Sequence, residues 1–541
     1  MRVELRDSLE NLYADSEVAA KPARTLALHT ARGTIASVHI LANDLAAAAP
    51  VSFDVRRNGR PVPEAGWFRL VDVPVEENTG RVGFTVGSPN LTVVPYDHVR
   101  NAPNPFVVRK APFRAYDAMA PVACRLQPTG PTLALRLHVP IPAGARPDVR
   151  EYEVSVRQGG AAATLRLTVT VHRAVVPESG PATLPYTNWF SFENIASRHG
   201  LKMWTEGYWR MLRRYAELMA HGRQNAFLIP LHHIFTLSGH TPVLNRERLR
   251  RIVRVFTEAG HHFIEGGHVA GRTGGDWEAK SFDVAFANAR ATAPEGHAVL
   301  VSLCRQLMEE IHRNGWASRW VQHVTDEPIP ANAVDYRILV GIVHKYIPGL
   351  PILDATQDPA LVGSVDIWCP QVQEYQRDRK EYEAQRAVGD RVWCYTCCFP
   401  GGPWLNRLLD EELLRPALVG WGIALFQLDG FLHWGFNQYR DDQDPFEHSV
   451  LAHHGGGSNS LPPGDTHIAY PGADGPWSSL RLEAHREGFE DYELLRRLRA
   501  RNPRRAVAVV AKAIRGFDRY VTDVRAFRRA RRALLEALDR E

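Results

Sequence analysis

The change of sequence pattern near residue 180 most constrains how this chain can fold. Between residues 186 and 430, eight short apolar runs alternate with amphipathic stretches such as "RERLRRIVRVFTEAG". The runs are "YTNWFS" from 186, "AFLIPL" from 226, "HHFIEGG" from 261, "RWVQHVTDE" from 319, "ILDAT" from 352, "VDIWCPQ" from 365, "RVWCYTC" from 391 and "IALFQLDG" from 423. Eight strands alternating with helices over this length predict a (β/α)8 barrel of the TIM type.

The regions on either side of the predicted barrel have different patterns. Residues 1–178 contain runs of alternating apolar and polar residues, such as "TIASVHILAN", "VGFTVG" and "TLRLTVTVHRAVVP", separated by turn signals such as Asn58-Gly59. This pattern is typical of an antiparallel β-sandwich. Residues 446–541 begin turn-rich and become helical. We therefore predict a multidomain protein: a β-sandwich (1–178), a (β/α)8 barrel (179–445) and a C-terminal segment (446–541) that packs on the barrel.

Composition excludes several classes of function. The 541 residues include 65 Lys and Arg against 60 Asp and Glu, a net charge of only +5, so no nucleic-acid partner is expected. No apolar run approaches the length of a membrane helix, and the first twenty residues lack the pattern of a secretory signal. The six cysteines form no spaced disulfide framework. These features predict a cytoplasmic protein without a membrane partner, whereas the sequence gives no indication of oligomeric state.

In a (β/α)8 barrel, functional groups lie at the C-terminal ends of the strands. Aromatic, histidine and acidic side chains concentrate at those predicted positions, as a sugar requires, because its C–H faces stack on rings and its hydroxyls need directional hydrogen bonds. The predicted catalytic residues are Asp326 and Glu327. The predicted substrate contacts are Asn188, Trp189, His233, Glu265, His268, Tyr395, Asp429, Trp434 and Asn437.

The adjacent acids Asp326 and Glu327, in "TDEPIP", predict a particular chemistry. Most glycosidases use two carboxylates that flank the scissile bond from different strands, and adjacent residues cannot do so. Adjacency suits a substrate whose own 2-acetamido oxygen attacks the anomeric carbon, because one acid then protonates the leaving oxygen while its neighbour orients the acetamido N–H. The negative charge of Asp326 is expected to keep Glu327 protonated as the acid. A helix-capping role for the pair is the structural alternative.

Several motifs together resemble a known family. "NWF" at 188, the Asp-Glu pair, the tyrosine of "WCYTC", "GFLHWGFNQY" and the tail "GDTHIAYPGADGPWSSLRLEAHREGFEDYELL" resemble the glycoside hydrolase family 123 catalytic domain, also called domain of unknown function 4091, over about residues 185–500. The resemblance implies a retaining exo-β-N-acetylgalactosaminidase acting on a glycan with a terminal N-acetylhexosamine. It assigns acetamido orientation to Asp326, general acid/base catalysis to Glu327, a hydrogen bond to the acetamido oxygen to Tyr395, and a pocket wall to Trp434.

Two other functions remain open at this stage: a barrel glycosidase for a sugar without an acetamido group, with Glu265 or Asp429 as nucleophile, and an inactive carbohydrate-binding protein. No metal or cofactor is expected. His232 and His233 follow a predicted strand, where neighbouring side chains point to opposite faces and cannot share a tetrahedral ion. Glu265 and His268 are interpreted as substrate contacts rather than ligands. The cysteines of "CYTCC" are interpreted as buried strand residues.

Overall fold

The computed structural model describes residues 1–541 except 87, 89, 90, 94, 95, 100, 357 and 454–458, and gives the backbone alone at 91–93 and 96–99. The N-terminal region is rich in β-structure. Its strands are β1 (Arg2–Asp7), β2 (Thr25–Arg32), β3 (Thr34–Asn43), β4 (Val51–Arg57), β5 (Arg60–Pro61), β6 (Gly66–Val75), β7 (Leu91–Val93), β8 (Tyr96–Val99), β9 (Phe113–Pro121), β10 (Arg125–Leu126), β11 (Leu133–Ile141), β12 (Val149–Gln158) and β13 (Ala161–Val175).

These strands form two main sheets that share one hydrophobic core. One sheet has the order β1-β3-β11-β6-β9 and the other β10-β4-β12-β13-β2, with β5 paired to β4. All of these pairs are antiparallel except β13 with β2. Alternate residues such as Val38, Leu137 and Val154 point into the shared core, which explains the period-two pattern. The antiparallel, sheet-rich N-terminal region is therefore as predicted.

One predicted strand of this region is not formed. Residues 82–86 of "VGFTVG" lie in a turn-rich loop with a single bridge between Thr79 and Thr85, while position 87 lies outside the described residues. The loop belongs to the connection between β6 and β9, which leaves the N-terminal sheets. It places Phe84 against Phe399, with ring centroids 5.0 Å apart. A wall of the pocket described below therefore comes from the first hundred residues.

The central region alternates strands and helices. Its elements are β14 (Tyr186–Asn188), α1 (Phe192–Arg198), α2 (Glu206–His221), β15 (Ala226–Ile229), α3 (Leu231–Ile234), β16 (Phe235–Ser238), β17 (Thr241–Leu244), α4 (Arg246–Glu258), β18 (Phe263–Gly266), β19 (Ala270–Arg272), β20 (Phe282–Val284), α5 (Pro294–Arg313), β21 (Trp320–Gln322), α6 (Ala333–Tyr346), β22 (Leu353–Ala355), β23 (Ile367–Cys369), α7 (Val372–Arg377), α8 (Arg379–Ala387), β24 (Arg391–Val392), β25 (Cys394–Thr396), α9 (Leu414–Phe426) and β26 (Phe431–His433).

Nine short strands of this region form three parallel three-stranded sheets, β14-β26-β25, β15-β18-β21 and β22-β23-β24. Single parallel bridges, Gln322 to Ile352 and Gln371 to Tyr395, connect the second sheet to the third and the third to the first. Within the described residues, no ladder joins β14 to β15. A closed barrel is therefore not observed, although alternation of parallel strands with helices is.

The eighth predicted strand was placed wrongly. "IALFQLDG" was assigned as a strand, but residues 423–426 belong to helix α9, and the strand is β26 at Phe431–His433. Almost every residue of α9 is buried, so its sequence has no polar face to reveal the helical period. Gly420 of α9 and Gly488 make this burial possible, because a Cβ at either position would lie within 2.2 Å of a backbone oxygen of the other helix.

The C-terminal region consists of β27 (Tyr470–Gly472), β28 (Gly475–Trp477), α10 (Leu480–Arg501), α11 (Pro503–Val510), β29 (Ile514–Gly516), β30 (Arg519–Tyr520) and α12 (Val524–Arg540). Helix α10 packs along α9, and α12 packs against β13 and β2 of the N-terminal region. Leu9, Phe431 and Leu534 accordingly belong to one core. The two domain boundaries predicted from sequence, near residues 178 and 445, stay predictions. None of the described helices combines the length and apolar character needed to cross a membrane.

Candidate active site

A pocket of about 590 Å³ opens where the strands of the central region end. Five residues predicted from sequence line it: Trp189, Asp326, Glu327, Tyr395 and Trp434. They come from the ends of β14, β21, β25 and β26, which are far apart in sequence. The volume is within the range of small-molecule sites, and three aromatic side chains beside two acids suit a sugar ring.

The acidic pair lies in a bend directly after β21. Glu327 has a positive φ of 45°, in the left-handed region that non-glycine residues seldom adopt. The Arg272 guanidinium at the end of β19 holds this conformation, because it donates one hydrogen bond to the Asp326 carbonyl at 3.1 Å and another to the Glu327 carbonyl. Arg272 in turn lies 3.9 Å from the centre of the Trp277 ring. The backbone of the pair is therefore fixed from outside the strand.

Burial and the neighbouring charge of Glu327 raise the pKa of Asp326 to about 7. The Arg272 charge opposes this shift without reversing it. The Tyr395 hydroxyl donates a hydrogen bond to Glu327 Oε1 and accepts one from Gln371 Nε2 at 3.1 Å. The raised pKa is therefore that of Asp326, whereas the sequence predicted it for Glu327, because burial of Asp326 is its largest cause and the sequence does not show that burial. A proton held by two adjacent carboxyl groups belongs to the pair.

A buried network supports the pair from below. The imidazole of His323 donates to Glu265 Oε2 at 3.1 Å and to Asp354 Oδ1 at 3.2 Å. Burial disfavours its charge, but the two carboxylates prevail and raise the pKa of His323 to about 9, so the ring is an imidazolium at neutral pH.

The network reaches both the pocket wall and the acidic pair. Glu265 accepts a hydrogen bond from Trp189 Nε1 at 3.1 Å. Asp354 accepts from the backbone N–H of Val324 at 3.1 Å and from the Tyr336 hydroxyl at 2.7 Å. Since Val324 lies two residues before Asp326, one cluster fixes Trp189 and the backbone that carries the acids.

Three predicted substrate contacts lie elsewhere. Asn188 is fully buried and accepts from Arg407 at 2.6 Å, because alternate strand residues face the core. Asn437 is also buried, and it bonds to the backbone of Ser191. Asp429 precedes β26 instead of ending it, so it lies at the opposite strand end, where it accepts from the Val392 N–H at 2.9 Å. Its misplacement follows from the error in the eighth strand.

The histidines and Glu265 also differ from expectation. Glu265 is completely buried, and His268 packs edge-on against Trp189 at 5.2 Å, so both lie behind the pocket lining. His232 and His233 belong to helix α3, not to a strand. The reason given from sequence for excluding a shared ion therefore fails at these two residues. His233 faces Glu193 instead of the pocket, with Nε2 3.2 Å from Oε1.

Sequence reasoning missed several residues of the lining. Phe84 comes from the β6–β9 connection, Trp277 and Glu278 from the loop after β19, and Asn459 from the segment after β26. None lies at the end of a central strand, which was the signal used. The "CYTCC" cysteines are indeed buried or nearly so, yet Cys397 and Cys398 also line the pocket. Only "TGGDWE", a glycine turn followed by tryptophan and acid, carries a usable signal.

Comparison with known proteins gives one matching family model and several similar solved structures. Residues 274–498 match the family model described as glycoside hydrolase 123, catalytic domain. Among solved structures, the chain is similar to a family 123 glycoside hydrolase from Clostridium perfringens studied for glycolipid glycan hydrolysis, with 12% identity and a TM-score of 0.70 over 100% of this chain and 97% of that chain. A β-D-glucuronidase from Dictyoglomus thermophilum gives 10% identity and a TM-score of 0.34, over 90% of this chain and 69% of that chain. No curated protein matches the sequence.

The matched residues include the acidic pair, Tyr395 and Trp434, so the domain match and the pocket describe the same part of the molecule. The protein is a glycoside hydrolase. Its residues 274–498 match the catalytic domain of family 123, the family that the motifs "WCYTC" and "GFLHWGFNQY" resemble.

Proposed function

We propose that this glycoside hydrolase is a retaining exo-enzyme that removes terminal β-linked N-acetylgalactosamine, with the 2-acetamido group of the substrate as nucleophile. The observation that carries the proposal is the adjacency of Asp326 and Glu327 at a single strand end inside the pocket. Two neighbouring acids can serve the glycosidic oxygen and the acetamido nitrogen, which lie on one side of the sugar. They cannot flank an anomeric carbon.

In the proposed reaction, Glu327 protonates the leaving oxygen while the acetamido oxygen attacks the anomeric carbon. The C–O bond to the leaving group breaks, and a cyclic oxazolinium forms. Asp326 accepts the acetamido N–H and stabilises the positive charge that develops there. Glu327 then removes a proton from a water molecule whose oxygen attacks the anomeric carbon. The bond from that carbon to the acetamido oxygen breaks, which opens the ring and restores the acetamido group with retained configuration. The shared proton of the pair supplies the acid form that the first step requires.

Tyr395 and Trp434 complete the proposed sugar site. Tyr395 already donates to Glu327, so binding its hydroxyl to an acetamido oxygen requires that hydrogen bond to be exchanged. The Trp434 ring is oriented by a hydrogen bond from its Nε1 to Asp465 at 3.2 Å, and offers a face on which a sugar can stack. The proposed partner is a glycan with a terminal N-acetylhexosamine, and the glycolipid chemistry of the Clostridium perfringens relative makes a glycolipid headgroup the first natural candidate.

We also propose that the three parallel sheets are segments of one interrupted (β/α)8 barrel. Support comes from the strand order, since β25 and β26 return to β14, and from the two single bridges that connect neighbouring sheets. The backbone bond from Asn225 to the Tyr186 carbonyl at 3.1 Å lies where the missing ladder would begin. A barrel of this kind explains why residues from distant strand ends meet at one pocket.

The alternative of a two-carboxylate glycosidase needs a second acid across the pocket. Glu265 is buried behind Trp189, and Asp429 lies at the opposite strand end, so neither is suitable. The further described carboxylate in the lining is Glu278, on the exposed loop beside Trp277. Glu278→Gln therefore tests this alternative. If Glu278 is the nucleophile, the variant should lose its turnover.

Two measurements test the proposal. Among aryl β-glycosides of N-acetylgalactosamine, N-acetylglucosamine and galactose, the first should be hydrolysed fastest and the last not at all. Progressive fluorination of the acetamido methyl should then lower kcat steeply, because it weakens the attacking oxygen. If galactoside is cleaved, or if fluorination leaves kcat unchanged while Glu278→Gln abolishes it, the two-carboxylate reaction is correct instead.

A further inference from the structure

Three potential metal ligands converge on the segments that follow β14 and β15. Glu193 lies in the first turn of α1, and His232 and His233 are adjacent in α3. One ligand atom from each residue lies within 4.8 Å of the others. The four-residue helix turns the two imidazoles toward the same side, with ring centroids 4.1 Å apart. A strand would have separated them.

The distances between these atoms are those of a coordination shell. His232 Nε2 lies 3.3 Å and His233 Nε2 3.2 Å from the same oxygen, Glu193 Oε1. Zinc bonds to histidine nitrogen and carboxylate oxygen are about 2.0–2.2 Å, so ligands of a tetrahedral ion lie about 3.4 Å apart. Small side-chain rotations would therefore admit an ion among the three atoms.

The state of His233 supports a ligand role. Its side chain is only 6% exposed, and its Nε2 is buried without a hydrogen bond of acceptable geometry among the described residues, despite the proximity of Glu193. A buried nitrogen whose contact with a carboxylate lacks hydrogen-bond alignment is costly, and a bound ion would remove that cost. Glu193 and His232 are 54% and 55% exposed, so a water can occupy a fourth position. Ser191 Oγ donates to Glu193 Oε2 at 3.1 Å and orients the carboxylate, as outer groups of metal sites do.

One neighbouring charge opposes a cation. The Arg248 guanidinium donates to the His233 carbonyl at 2.7 Å and lies over the Trp204 ring at 4.5 Å. This arrangement engages the guanidinium with a carbonyl and an aromatic face, while the Glu193 carboxylate faces both imidazoles. Before an ion binds, the Arg248 cation and the Glu193 anion give this group no net charge when both histidines are neutral. A divalent ion can therefore bind there.

A second group, His268 with His323 and Asp354, has similar spacing but a different state. His323 donates hydrogen bonds from both ring nitrogens, to Glu265 and to Asp354, so it offers no lone pair. That group belongs to the network below the acidic pair. In the Glu193 group, His232 Nε2 hydrogen-bonds to Glu193 Oε1 at 3.3 Å, so a bound ion would replace a contact between two of its own ligands.

We propose that Glu193, His232 and His233 form a binding site for a divalent first-row transition metal, with Zn²⁺ as the test ion. Two imidazoles, one carboxylate and an open position are a donor set that such ions favour. The ion joins the loop after β14 to the loop after β15. It lies apart from the acids, and its role is to fix the segment that starts at Trp189, four residues before Glu193.

The test is calorimetric titration of the chelator-treated full-length protein with ZnCl₂ at neutral pH. One equivalent should bind, and Glu193→Gln and His232→Ala should each weaken the affinity at least about 10-fold, as loss of supporting groups alone does at metal sites. Both side chains are more than half exposed, so these variants are expected to fold. His240→Ala, an exposed histidine in the turn between β16 and β17, is the matched control and should bind as the wild type does.

Co²⁺ gives a second readout that does not depend on activity. A four-coordinate nitrogen and oxygen site should produce intense visible d–d bands that are lost in Glu193→Gln and His232→Ala. Sulfur charge-transfer bands would instead locate the ion at the pocket cysteines. The proposal is overturned if the wild type binds no Zn²⁺ in the calorimetric titration, or if both variants bind it as tightly as the wild type.

Discussion

The Tyr395 hydroxyl donates a hydrogen bond to the Glu327 carboxylate, and so joins the end of β25 to the bend after β21. Gln371, which follows β23, donates to the same hydroxyl at 3.1 Å. One short chain of hydrogen bonds therefore links three strand ends to the proposed acid. Because an ionised or partly ionised acceptor strengthens such bonds, this contact has measurable consequences for catalysis.

Replacing Tyr395 with Phe should lower kcat/KM for an aryl β-N-acetylgalactosaminide about 10- to 100-fold. A hydrogen bond to a charged group contributes about 1.5–3 kcal/mol, and each 1.4 kcal/mol is a factor of ten in rate. Tyr346→Phe, at the C-terminal end of α6, is the control and should keep wild-type kinetics. Full activity of Tyr395→Phe would mean that the bond to Glu327 has no catalytic importance.

Glu327→Gln should affect substrates according to their leaving groups. The variant has no proton to donate, so a glycoside with a poor alkyl leaving group should lose about 10²- to 10⁴-fold in kcat. A dinitrophenyl glycoside departs without protonation and should lose much less. The measurement is kcat/KM against leaving-group pKa for the wild type and the variant. Equal losses on all substrates would contradict the role of Glu327 as acid.

Asp326→Asn should differ from Glu327→Gln in its dependence on the leaving group, and it should also change the pH profile. Its loss, about 10²- to 10³-fold, should not depend on the leaving group, because the carboxylate stabilises charge on the acetamido ring. In the wild type, the pair loses its shared proton near pH 7, where the pKa of Asp326 lies, so activity should fall as pH rises through that value. Removing the Asp326 charge should move this fall to lower pH. An unchanged pH profile in the variant would show that the two acids do not interact.

His323 should make folding stability depend on pH. Its pKa is raised from 6.5 to about 9 in the folded protein, so its stabilising contribution is complete below pH 6.5 and is lost as pH rises through about 9. Between these values the wild type should lose stability on the order of a few kcal/mol that His323→Gln does not lose. Thermal unfolding at pH 6, 7.5 and 9 measures this difference. Parallel curves for the two proteins would contradict an imidazolium at this position.

Phe84→Ala tests whether the N-terminal region takes part in the pocket. Phe84 packs against Phe399 and has no group that transfers a proton, so kcat should change little. KM should rise about 5- to 30-fold, from about 1–2 kcal/mol of lost apolar contact. Phe106→Ala, an exposed phenylalanine of the same connection, is the control and should have no effect. An unchanged KM in Phe84→Ala would place the substrate away from this wall.

Local patterns in the sequence were sufficient where a residue's role depends on its neighbours along the chain. The period of two in "TIASVHILAN" corresponds to β3, and the acids after "RWVQHV" lie at a strand end because the run before them is apolar and a proline follows. Adjacency of Asp326 and Glu327 is itself a property of the sequence. It limits the chemistry before any coordinates are considered.

Only the tertiary structure decided which distant groups meet. Arg272 fixes the acidic pair, Phe84 closes the pocket from the N-terminal region, and Glu265 lies behind Trp189. The strand-like run at 423 is helical although it has no polar stripe. The stripe is missing because α9 is buried on nearly all sides and packs along α10, and this packing is not visible in the sequence. His232 and His233 converge on Glu193 because a single helical turn follows β15. These outcomes depend on contacts between segments tens to hundreds of residues apart, which the pattern within any one segment cannot contain.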